Sequence, residues 1–93
     1  MVEIRVELPA SLGDDEREAL RAAELSRGRE LVAAGAIRSI WRIPGGMRNV
    51  GIWAAADATE LHELIESLPM YPWLTAEVTP LARHPLTGPE GGS

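Results

Sequence analysis

Residues 40–53, IWRIPGGMRNVGIW, place two strand-like runs on either side of Pro44, Gly45 and Gly46. A turn that tight leaves the flanking runs one arrangement, as antiparallel neighbours in a sheet. The spacing predicts strands over 37–43 (IRSIWRI) and 48–54 (RNVGIWA). This hairpin also carries Trp41, Trp53, Arg42, Arg48 and Asn49, more chemistry than a sheet needs. Two readings stand at this point. The side chains serve ordinary sheet packing, or one face of the hairpin floors a ligand pocket.

The rest of the chain builds around the hairpin. VEIRVEL at 2–8 alternates, with Val2, Ile4, Val6 and Leu8 facing one way and Glu3, Arg5 and Glu7 the other. That pattern predicts a half-buried strand ending at Pro9. Residues 15–34 are rich in Ala, Leu, Glu and Arg and predict a long helix, capped by Asp14 or Asp15 and stopped by Gly35. A second helix starts at Asp57 or Thr59, with Leu61, Leu64, Ile65 and Leu68 on one stripe, and breaks at Pro69 and Pro72. WLTAEVTPLA at 73–82 predicts the last strand, in which Pro80 marks an edge or a bend.

The order is β-α-β-β-α-β, the ferredoxin-like arrangement of the α+β class. Two helices cover one face of an antiparallel four-stranded sheet, and the other face must meet solvent, ligand or a second subunit. A tryptophan on that open face is costly to leave wet, which favours sheet-on-sheet dimers. At 93 residues the chain makes one domain, read as residues 1–84, with a Gly- and Pro-rich tail at 85–93 expected to be mobile.

Composition removes several function classes. The net charge of −5 argues against nucleic acid as a partner. Without a run of some 18 apolar residues, no membrane role is expected. MVEIRVELP lacks the basic flank and apolar block of a signal peptide, so the expected compartment is the cytoplasm. The absence of cysteine removes thiolate metal sites, and the absence of lysine removes Schiff-base chemistry through that side chain. His62 and His84 have no recognisable metal spacing. No phosphate loop, nucleophile elbow or dinucleotide fingerprint is present.

Glu24 is the odd residue of the first helix, since it lies near Leu20 and Leu31 on the side expected to be apolar. Two readings are open: a partly buried general base with a raised pKa, or a local pair with Arg27. Asn49 stands in a strand, where asparagine is disfavoured; it either bonds a ligand oxygen or is a polar residue beside a turn. Arg42 and Arg48 can grip a carboxylate by two prongs or pair with neighbouring acids. Trp41, Trp53 and Trp73 read as core or interface residues.

Three segments carry a resemblance: Trp41-Arg42-Ile43 before a glycine turn, Leu61-His62-Glu63, and LPMYPWLTAEVTPLARHP at 68–85. The last is similar to LPLFPYMDIEVTPLCRHP of the muconolactone delta-isomerase family, and the likeness runs along nearly the whole chain. It implies a dimeric α/β-barrel type of ferredoxin-like subunit, and dimers assembled into a larger ring, commonly a decamer. It also implies a cofactor-free shift of a double bond within a small unsaturated lactone bearing a carboxylate. The family's catalytic glutamate matches Glu24 and its asparagine matches Asn49. Its tyrosine is replaced by Met47, which can neither donate a phenolic hydrogen bond nor relay a proton. Ser39 stands where the family has histidine, and Gly51 where it has serine. The implied pocket is therefore Glu24 and Asn49 as catalytic groups, lined by Met47, Ser39, Trp41, Arg42, Arg48 and Gly51. The departures leave two alternatives to an isomerase of muconolactone or a near relative. One is a same-scaffold isomerase or cyclase acting on a biosynthetic intermediate; the other is a non-catalytic ligand-binding oligomer.

Overall fold

The alternation at the start of the chain sets the core. Val2 and Ile4 are 1% and 3% exposed in a computed structural model that describes residues 1–86. They belong to β1 (Val2–Val6), the inner strand on which the sheet is built. The strand is shorter than its alternating pattern because its neighbour enters a turn at Trp73, although the Glu7 N–H still donates to the Trp73 carbonyl at 3.0 Å.

α1 (Asp14–Ala33) follows, with Gly13 as N-cap rather than either aspartate. The Gly13 N–H donates back to Glu16 Oε1 at 3.3 Å, which leaves Asp14 and Asp15 in the first turn, where negative charge suits the helix dipole. The helix stops as expected at Gly35, whose φ of 81° only glycine adopts without strain. The Gly35 N–H reaches the Val32 carbonyl and the Ala36 N–H the Leu31 carbonyl, the paired bonds of a Schellman stop.

β2 (Ile37–Ile43) and β3 (Met47–Trp53) form the hairpin, turned by Gly45 and Gly46 at φ 102° and 153°. α2 (Ala58–Glu66) is capped by Asp57, whose carboxylate accepts from the Glu60 N–H at 2.8 Å. A short 3-10 turn (Tyr71–Trp73) leads into β4 (Leu74–Val78). The expected last strand was longer; Trp73 sits in the turn, and Pro80, with no N–H, closes the far end. Pairing runs to Thr79, whose N–H donates to the Met1 carbonyl at 2.8 Å.

The sheet is antiparallel in the order β2-β3-β1-β4, which puts β2 and β4 at its edges. Helices lie on one face only. Under them Val2, Ile4, Leu31, Ala36, Ile37, Ile65 and Leu68 form the core, with Trp53, Leu61 and Tyr71 packed against it. Among the described residues no helix is long and apolar enough to cross a membrane. Of the expected tail, residues 87–93 lie outside the described residues.

Candidate active site

Register decides which side chains share a face, because partners directly opposite in a sheet point the same way. Met47, Asn49 and Gly51 pair with Val6, Ile4 and Val2, so they face the helices. On β2, Arg42 pairs with Asn49 and Ile40 with Gly51, which adds both to that face. Trp41 pairs with Val50 and Ile43 with Arg48, and a bulge between Ile37 and Ser39 sets Ser39 opposite Ile52. Ser39, Trp41 and Arg48 therefore occupy the open face. Of the eight residues expected around one pocket, the seven on the hairpin divide between two sides of the sheet, as plain alternation within 39–42 and 47–51 dictates; the bulge displaces only Ile37 from that pattern.

Glu24 stands on α1, half-buried, on the helix layer above the sheet. One carboxylate oxygen accepts from the Met70 backbone N–H at 3.0 Å, a partner 46 residues along the chain. Burial pushes its pKa above the usual 4.5, and the Met70 N–H opposes that shift without cancelling it. The local pair with Arg27 does not form. Arg27 instead bonds Ser67 Oγ and Glu30 Oε1, both at 3.0 Å. Glu24 thus forms no ion pair among the described residues, and its one hydrogen bond there is to a backbone N–H.

Around it the helix-side face mixes polar and apolar groups. Asn49 Oδ1 is buried without a hydrogen-bond partner among the described residues, and so is Trp53 Nε1. Met47 is 38% exposed and brings an apolar, flexible wall where a phenol would be polar. Arg42 is exposed, with no ion pair among the described residues. Gly51 is buried, and a Cβ there would meet the Ser39 carbonyl at 2.9 Å. On the opposite face Arg48 bridges Glu3 at 3.1 Å, and its Nε is buried with no hydrogen-bond partner among the described residues. Trp41 is 57% exposed on that face.

A separate open groove of about 550 Å³ lies between α2 and β4, lined by Leu61, Ile65, Leu74, Ala76 and Val78 with His62 and Tyr71. Neither Glu24 nor Asn49 borders it. It holds no carboxylate, and His62 is turned to Glu66 at 3.7 Å and edge-on to Tyr71. Among the described residues no three His, Asp or Glu side chains converge as they would around a metal ion. Two contributors escaped the sequence reading: the Met70 N–H, which no local pattern announces, and the Trp53 indole, which periodicity assigns to packing.

The sequence and the fold have parallels among known proteins. The family model described as muconolactone delta-isomerase matches residues 1–87. The chain is 37% identical to the muconolactone delta-isomerase of Acinetobacter baylyi over 84 residues, covering 90% of this chain and 88% of that protein. It is 35% identical to that of Rhodococcus opacus over 83 residues, covering 89% of each. Its fold superposes on a crystal structure of muconolactone isomerase with a TM-score of 0.82 and 31% identity, over 90% of this chain and 88% of the other.

Proposed function

Because the chain belongs to the muconolactone delta-isomerase family, we infer that it moves a carbon–carbon double bond within muconolactone or a near relative, by proton transfer and without a cofactor. The observation that carries this reading is Glu24, a partly desolvated carboxylate with one backbone donor and no ion pair among the described residues. Its carboxylate takes a proton from a carbon acidified by the conjugated lactone. The C–H electron pair enters the ring system as a dienolate, whose negative charge rests on the carbonyl oxygen. Protonated Glu24 then returns the proton at the other end of the conjugated system, and the electron pair closes the displaced double bond. Atoms and charge balance with nothing consumed.

The neighbours take supporting roles. The Asn49 amide stabilises the developing oxyanion, a task in which a preorganised donor outperforms water. Arg42 grips the substrate carboxylate from the exposed rim. Met47 forms an apolar wall beside the ring, and Gly51 keeps the floor open. Ser39, Trp41 and Arg48, on the other side of the sheet, serve a sheet-to-sheet homodimer. The dimer assembles into a larger ring such as a decamer, working on its small substrate in the cytoplasm.

The test is isomerisation of muconolactone by the native protein in D₂O, followed by NMR. Turnover is expected, with deuterium entering at the carbon that receives the proton wherever protonated Glu24 exchanges with solvent before returning it. Glu24→Gln should lower the rate about 10²–10⁴-fold, the usual worth of a positioned general base. An unchanged rate in that variant would remove the base assignment.

A further inference from the structure

The helix-side face of β3 holds two buried polar atoms that have no hydrogen-bond partner among the described residues, Asn49 Oδ1 and Trp53 Nε1. Leaving a buried donor unpaired is costly, and native structures rarely do so without a reason. The indole is the sharper case, because Nε1–H is donor only and needs an acceptor. Its placement depends on Gly51. A Cβ built at Gly51 would lie 3.4 Å from Trp53 Nε1 and 3.5 Å from Ile40 Cγ1. The indole therefore folds back along its own strand and puts its N–H over the glycine. Same-face positions two residues apart on a strand are roughly 7 Å apart, so the indole nitrogen is drawn toward Asn49 rather than away from it. Ile40, 46% exposed, flanks this spot, so the buried donor lies beside a side chain that reaches the surface.

The geometry points to Trp53 as a substrate-contacting residue: its indole N–H, laid over Gly51 next to Asn49, donates to a carbonyl oxygen of the bound ligand. The inference rests on the isomerase reading for the identity of that oxygen, the lactone carbonyl on which dienolate charge develops. Trp53 and Asn49 then hold the ring from one strand, and Glu24 faces it from the helix layer. The donor lost at Met47 is replaced from a different position in the chain.

The experiment uses the ¹⁵N-labelled protein, whose three tryptophans give three indole N–H signals. The Trp53 signal is identified by its loss in Trp53→Phe, which keeps an aromatic ring and removes the donor. Muconolactone is titrated into Glu24→Gln, which holds the ligand without consuming it. The Trp53 indole proton is expected to move downfield while those of Trp41 and Trp73 stay in place. In otherwise native protein, Trp53→Phe should lower kcat/KM about 10–100-fold and leave the acid limb of the pH profile unmoved. Turnover by the native protein with a stationary Trp53 signal and unchanged kinetics in Trp53→Phe overturns this inference and leaves the isomerase reading standing. A shifted Trp53 signal without turnover does the reverse. Neither turnover nor a shift overturns both. Should Trp53→Phe fail to fold, the titration decides alone, with the signal assigned from Trp41→Phe and Trp73→Phe.

Discussion

At the scale of single residues, Glu24 links stability to activity with opposite signs. Its pKa in the folded chain lies above the unfolded value, because burial penalises the charged form. The folded chain therefore holds the proton more tightly. The stabilisation this gives is fully present below the unfolded carboxylate range and is lost as the pH rises through the folded pKa. At neutral pH Glu24 is an unhelpful charge, so Glu24→Gln should melt slightly higher than the native protein. That advantage should vanish below about pH 4. A melting series across pH checks this, and an advantage that grew toward acid would contradict the desolvation account. Activity runs the other way, since the base must be ionised to accept a proton: the acid limb of kcat/KM should fall above the usual glutamate value of 4.5. Met47 supplies a second prediction. A hydrogen bond to developing charge is worth roughly 3 kcal/mol, on the order of a hundredfold in rate. Met47→Tyr restores a phenol on the helix-side face and should raise muconolactone turnover, measured as kcat at saturation. If native turnover already matched that of a relative carrying tyrosine, the substitution would have had no cost to recover.

At the scale of elements, the hairpin depends on Gly51. A Cβ there would sit 2.9 Å from the Ser39 carbonyl, and backbone cannot swing aside as a flexible side chain can. Gly51→Ser should therefore destabilise the fold by about 1–3 kcal/mol, and it should dislodge the Trp53 indole. Denaturant melts read the first effect and tryptophan fluorescence the second. Wild-type stability in Gly51→Ser would show that β2 can move away at no cost. The hairpin also marks where sequence reading succeeds and stops. β2 and the paired glycine turn follow from local chemistry: β-branched and aromatic runs, then Gly45 and Gly46 at φ values closed to other residues. The Gly35 stop and the Asp57 cap are equally local. What escaped is long-range. The bulge between Ile37 and Ser39 breaks the parity of β2, so Ile37, opposite Trp53 on the helix-side face, and Ser39, opposite Ile52 on the open face, end on different sides although they are two residues apart. The Glu24–Met70 bond spans 46 residues, and no periodicity encodes it. Glu24 was recognisable as an anomaly on an apolar stripe, but its neighbours were not, because a site drawn from three elements is specified by tertiary register.

At the scale of the whole molecule, exposed apolar groups fall on both outer surfaces of the two-layer subunit. Trp41 is 57% exposed on the uncovered sheet face, beside Val50, Ile52 and Ile43. Leu25 and Val32, 55% and 52% exposed, stand two turns apart on the outer side of α1. A buried aromatic anchor commonly dominates an interface, so the Trp41 face suits a two-fold, self-complementary dimer. A two-fold contact closes on itself, and assembly beyond the dimer needs a second, non-overlapping surface. The α1 stripe lies on the opposite side of the subunit and can supply one. The two surfaces should therefore fail separately. Light scattering at micromolar concentration is expected to find the native chain in an assembly larger than a dimer. The double substitution Leu25→Glu and Val32→Glu places charge on the helix stripe and should leave dimers. Trp41→Glu should weaken the sheet-to-sheet contact at least 10–100-fold in dissociation constant and release smaller species with Trp41-side surface exposed to dye. Monomers in the native protein would exclude the whole scheme. An intact large assembly in the Leu25 and Val32 double variant would move the second contact off α1, to another surface of the subunit.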